Sequence, residues 1–113
     1  MYYTYILTNE TKSVLYTGVT NNLIQRIAEH YFQRGNKKSF TGKYYCHNLV
    51  YYEEYAFITD AIAREKAIKH WPRSWKENLI NKENPAWNFL NNTLFDDWPP
   101  DNVSLLSRSS HDG

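Results

Sequence analysis

The sequence predicts an α+β fold, a small three-stranded β-sheet flanked by helices in the order ββαβαα. Three observations carry this. Residues 2–8 and 14–17 are β-branched and aromatic and are separated by the turn chemistry Asn9-Glu10-Thr11-Lys12-Ser13, so the chain opens with a β-hairpin. Residues 49–57 have the same character and read as a third strand. Residues 21–33, 61–71 and 74–81 show helical spacing with start and stop signals.

Taken in order, the second strand runs into Gly18 at a turn, and a Thr/Asn cap precedes the first helix. On that helix Leu23, Ile24, Ile27 and Tyr31 form the apolar stripe, while Asn22, Arg26 and His30 stack in one row along its margin. A cation and an imidazole held there on a rigid element can reach a phosphate without full burial. A basic loop follows, with Arg34, Lys37, Lys38 and Lys43, two glycines and Phe40. After the third strand, Thr59 or Asp60 is placed to cap the second helix, which Pro72 ends. Ser74-Trp75-Lys76-Glu77 fits a capping box opening the third helix. Residues 84–90 form a short extended segment packing Trp87 and Leu90 on the body. From about residue 93 the composition turns to Asp, Pro and Ser, so the domain is expected over 1–92 and a disordered tail over 93–113.

The 113 residues are enough for one core. Ten Tyr and four Trp are more aromatics than a core of this size needs, so some can line a site. A net charge of +1 means that any basic footprint is local. One cysteine, Cys46, excludes an internal disulfide and a thiolate metal cluster. No stretch has the pattern of a signal peptide or the length of a membrane span, so a soluble, cytoplasmic protein is expected.

Glu65 stands out. At about 100° per residue with Ala61 as origin, it falls near about 40°, between Ile68 at about −20° and Ile62 at about 100°. A carboxylate in an apolar stripe needs a cation or a proton. Arg64, Lys66 and Lys69 sit on other faces or must fold back, so a more distant arginine or a metal ion is the expected partner. Glu53 and Glu54 are adjacent in a strand, face opposite sides and read as a solvated edge. His47 and His70 lack ligand spacing with any other His or Cys, and His111 belongs to the tail.

With these residues in place the chain resembles the GIY-YIG nuclease superfamily. Tyr3-Thr4-Tyr5 matches the first motif and Tyr16-Thr17-Gly18 the second, with Tyr3 at the first glycine and threonine at both isoleucine positions. Tyr5 and Tyr16 are eleven residues apart, and Arg26 follows Tyr16 by ten. His30 stands where Tyr or His is usual, and the stretch 63–69 matches the helix bearing the metal-binding glutamate, here Glu65. Asn88 lies in the closing segment. The resemblance spans residues 2–90 and is greatest to small single-domain bacterial members, similar to the nuclease domain of the UvrC repair protein. Val19 stands where some members carry a lysine, leaving one cation fewer at the phosphate.

The resemblance implies a metal-dependent endonuclease that hydrolyses phosphodiesters with one Mg²⁺ or Mn²⁺ held by Glu65. Arg26 then clamps a phosphate oxygen, since its planar fork suits that geometry. Tyr5 is the general base with His30 as runner-up, and Tyr16 and His30 orient water or phosphate. Gly18 allows close backbone approach, and Asn88 supports the scaffold. Arg34, Lys37, Lys38 and Lys43, with Phe40, Tyr44 and Tyr45 for stacking, are the candidate nucleic-acid contacts. The implied partner is nucleic acid, DNA before RNA, in a repair or recombination setting. Two other classes compete: a catalytically silent nucleic-acid-binding module of the same fold, and a protein-interaction domain using its aromatic surface.

Overall fold

A computed structural model describes residues 1–100. The elements are β1 (Tyr2–Thr8), β2 (Leu15–Thr20), α1 (Leu23–Phe32), α2 (Phe40–Tyr44), β3 (Asn48–Tyr55), α3 (Ile58–His70), α4 (Arg73–Glu83) and α5 (Asn91–Leu94). The sheet is antiparallel with order β2-β1-β3, so the α+β class holds. β1 is central and covered on both faces, which is why residues 4–8 are all buried although two are threonines. Tyr5 and Leu7 face α1 and pack with Leu23, Ile27, Cys46 and Leu49. Ile6 faces the other way, onto Val50, Ile68 of α3 and Ile80 of α4. The buried threonine hydroxyls are paired: Thr4 donates to the Ala61 carbonyl and Thr8 to that of Val14, both at 2.8 Å. The β1–β3 register shifts between Ile6 and Leu7, a bulge at the centre of the sheet.

Asn22 caps α1, its side chain accepting from the Gln25 amide at 3.1 Å. The expected stripe differs in detail: Ala28 and His30 are buried, His30 rather than marginal, while Ile24 and Tyr31 are only partly buried. The basic loop folds into the short helix α2, capped by Ser39, and Tyr45 ends it in the left-handed region at φ 57°.

The expected caps of the later helices are both corrected. α3 begins at Ile58 after Phe57, without a side-chain cap, and Asp60 sits inside its first turn, where its charge suits the helix dipole. α4 begins at Arg73 after Pro72, so the capping box at Ser74 does not form. Arg73 is instead drawn in by the carbonyls of Ser13 and Lys12, at 2.7 and 2.9 Å, and pairs with Glu77 at 3.0 Å.

The expected disordered tail is corrected over its first part. Phe95 is buried, and Trp98 packs edge-on against it and against Tyr31. These aromatics bury apolar area that outweighs the polar composition around them. Residues 101–113 lie outside the described residues.

Candidate active site

The site grows from the hairpin. Tyr5 and Gly18 are direct partners across β1 and β2, so the Tyr5 ring lies over Gly18. A Cβ at Gly18 would stand 2.5 Å from Cζ and Oη of Tyr5 and 3.0 Å from the Tyr16 ring. The glycine therefore lies inside a strand, not at the expected turn, and what approaches it closely is the Tyr5 ring.

Tyr5 Oη lies 2.9 Å from His30 Nε2, and His30 Nδ1 lies 2.9 Å from Thr41 Oγ1 of α2. Tyr16 packs edge-on to His30 with ring centroids 5.5 Å apart and stacks on Phe40 at 6.0 Å. An aromatic row thus runs from buried Tyr5, 1% exposed, through half-buried Tyr16 to Phe40, 48% exposed. His30 is 2% exposed. Burial, then the charge of Arg26, lowers its pKa to about 4, so the imidazole is neutral at neutral pH. Burial and the neighbouring Tyr16 push the Tyr5 phenol well above its ordinary value, against the opposing pull of Arg26. Both shifts disfavour charge inside the wall of the site.

Arg26 stands on α1 beside Tyr5 and pairs with Glu29, Nη1 to Oε1, at 3.0 Å. Its side chain is partly exposed, so the guanidinium is open to solvent beside that pair.

Glu65 is 15% exposed, and its partner is Lys69, one turn on, at 3.2 Å. The cation beside Glu65 is thus this near neighbour rather than the expected distant arginine, because residues four apart on a helix are neighbours and no folding back is needed. Lys69 Nζ also lies 5.9 Å from the centroid of the Tyr16 ring, so the pair joins α3 to the aromatic row. No group of three or more His, Cys, Asp or Glu side chains is placed to hold a metal ion among the described residues. A lone carboxylate fits Mg²⁺ or Mn²⁺, which keeps most of its ligands as water and phosphate oxygens.

Other residues fall elsewhere. Asn88 is exposed and contributes only backbone, its amide donating to Asn84 Oδ1 at 3.1 Å. The scaffold role belongs to Asn84, which donates to the carbonyls of Val50 and Asn88, and to buried Asn91, which ties Leu49 and His47. Arg34 stacks on Tyr31 at 3.9 Å, in the group with His47 and Trp98 and not on the Phe40 row. Lys37 and Lys38 are exposed just before α2, and Lys43 lies over Tyr44 at 5.2 Å. Glu53 is no solvated edge. Arg64 grips it through Nε and Nη2 at 3.0 Å, and the hydroxyls of Tyr51 and Tyr55 donate to it. Cys46 is buried, which pushes its thiol up to about 11 and leaves it inert.

The hairpin thus sets two tyrosines against Gly18, and the helices that follow carry Arg26 and Glu65. The sequence matches the family model of the GIY-YIG catalytic domain over residues 1–78, and the chain belongs to that family, within the GIY-YIG nuclease superfamily. The matched span holds Tyr5, Tyr16, Gly18, Arg26, His30 and Glu65 and leaves Asn88 outside. The chain is 34% identical over 79 residues to a UPF0213 protein of Limosilactobacillus reuteri, covering 70% of this chain and 81% of the relative. It is 36% identical over 81 residues to a UPF0213 protein of Staphylococcus haemolyticus, covering 72% and 95%. A UPF0213 protein of Natronomonas pharaonis is 35% identical over 82 residues, covering 73% and 93%. No solved structure matches the chain. No helix among the described residues is long and apolar enough to cross a membrane.

Proposed function

We propose that the chain is a metal-dependent endonuclease that hydrolyses phosphodiester bonds in DNA, acting in the cytoplasm. The observation that carries this is the contact of Lys69 with both Glu65 and the Tyr16 ring, which brings the one candidate metal-ligating carboxylate beside the tyrosine row. A divalent ion at Glu65, Mg²⁺ or Mn²⁺, supplies charge neutralisation at the phosphate and the leaving oxygen. Arg26 clamps a non-bridging oxygen with its fork. Tyr16 is assigned to the attacking water in place of Tyr5, because it is half-buried and reaches the surface. Tyr5 is enclosed and its hydroxyl is committed to His30. Tyr5, His30 and Thr41 form a neutral hydrogen-bonded chain that fixes the wall on which Tyr16 packs. Lys37, Lys38 and Lys43 meet the phosphate backbone, and exposed Phe40 offers a face to a base.

The Glu65–Lys69 ion pair favours a second reading, a catalytically silent nucleic-acid-binding module whose carboxylate is permanently neutralised. A panel of labelled single-stranded, duplex and forked DNA and of RNA, incubated with and without Mg²⁺ or Mn²⁺, separates the two. Metal-dependent cutting of DNA is expected. Binding without cutting of any member would support the silent module.

A further inference from the structure

We propose that Lys69 is a phosphate-contacting cation, released to the substrate when Glu65 takes a divalent ion. The proposal rests on the nuclease reading and adds a residue to it.

α3 carries both Glu65 and Lys69, and Lys69 reaches the Tyr16 ring of β2. Along β2, alternate residues share a face, and Leu15 packs into the core that faces α3 and α4. Val19 lies on that same face, and its partner across the sheet is Thr4, which bonds to Ala61 of α3. A lysine at 19 would therefore emerge on the α3 side of the sheet. Ala61, Glu65 and Lys69 are four apart and form one row on the helix. The row starts at Thr4 and Val19 and ends where Lys69 lies over Tyr16. Eight helical residues rise about 12 Å. The strand from Val19 to Tyr16 covers about 10 Å. The row thus runs in the direction of β2, with Lys69 at its Tyr16 end, about 12 Å along the helix from Ala61.

The chemistry follows from charge. The ammonium sits 3.2 Å from a carboxylate that is 15% exposed, while the Lys69 side chain itself is 47% exposed and free to move. A divalent cation on Glu65 repels that ammonium, so the two compete for the carboxylate. A flexible four-carbon stem lets the displaced ammonium turn to a nearby anion, and at a loaded site that anion is the phosphate. The Tyr16 ring face keeps it close, since a cation is attracted there.

The test uses the full chain, with Lys69→Ala and Lys69→Gln beside wild type and a fluorescein-labelled forked DNA as probe. Lys69→Gln removes the charge but leaves a polar side chain, one bond shorter, that can still donate a hydrogen bond, so a loss common to both variants reports charge. Three results are expected. Binding anisotropy in Ca²⁺ gives a salt slope shallower by about 0.9, the loss of one phosphate contact. Melting shows a half-maximal Mn²⁺ shift at lower Mn²⁺ than in wild type, because the competing ammonium is gone. Single-turnover cleavage at saturating Mn²⁺ falls tenfold or more. Wild-type salt slope and wild-type cleavage in both variants would overturn the role of Lys69 while leaving the nuclease reading intact. Failure of wild type itself to cut DNA would instead overturn the nuclease reading, and this proposal with it.

Discussion

The Tyr5 hydroxyl and the His30 imidazole share a 2.9 Å hydrogen bond in the core between β1 and α1, and neither side chain is open to solvent. His30 therefore contributes to stability as a neutral ring. Its folded pKa of about 4 lies below the ordinary 6.5, so the unfolded chain binds more protons between those values. The contribution is complete above about pH 6.5 and is lost as pH falls through about 4, amounting to about 3 kcal/mol at neutral pH. His47, also shifted down by burial, adds in the same direction. Melting curves from pH 7.5 to 4 should fall more steeply for wild type than for His30→Gln. Parallel curves would show that His30 is not the titrating group.

Gly18 and Tyr5 make the next prediction. Gly18→Ala places a methyl within 2.5 Å of the phenol, and the central strand beneath Tyr5 cannot withdraw. The ring must shift, straining the bond to His30, with an overpacking cost of about 1–3 kcal/mol. Cleavage should fall together with melting temperature. A variant that melts and cuts like wild type would show that the close approach has no consequence.

Phe95 and Trp98 predict that the polypeptide after residue 92 matters to the fold. Phe95→Ala removes a buried ring against Trp98 and should cost about 3 kcal/mol. Chemical denaturation measures it. A loss under about 0.5 kcal/mol, the range of plain surface changes, would return this segment to the status of a free tail.

Arg64 holds Glu53 from two nitrogens. Burial alone would raise the pKa of that carboxylate, but the hydrogen bonds from Arg64, Tyr51 and Tyr55 outweigh it and keep it below the usual range. Arg64→Ala should cost about 1–2 kcal/mol, less than a fully buried pair because both side chains are partly exposed. The loss should grow smaller in acid, as the stranded carboxylate protonates. Cleavage by the folded variant should stay near wild type, and a cleavage-dead, stable variant would instead put Glu53 in the chemistry.

The strands and the two motif tyrosines were legible because residue type and spacing alone specify a hairpin. The helix boundaries were less so. Tertiary bonds from Arg73 to the β1–β2 turn outweighed the local capping signal at Ser74. Buried His30 was misplaced on a helix margin, since only the fold reveals Thr41 and Tyr5 as partners for both ring nitrogens. Asn84 and Asn91 were invisible among polar neighbours, because their roles depend on backbone groups on β3 and just before it. Lys69 is among the partners that the sequence reading sets aside as having to fold back, and that step is the error. Its four-residue spacing from Glu65 is an ordinary helical neighbour relation.

Glu65 carries the central claim, and one substitution tests it most directly. Glu65→Gln is nearly isosteric, and its partner Lys69 is exposed enough to hydrate, so the metal-free variant should melt within a degree or two of wild type. Cleavage of forked DNA in Mn²⁺ is the measurement. The account predicts cutting by wild type, none by Glu65→Gln, and a Mn²⁺-dependent rise in melting temperature for wild type only. A folded Glu65→Gln protein that cuts at the wild-type rate would contradict it.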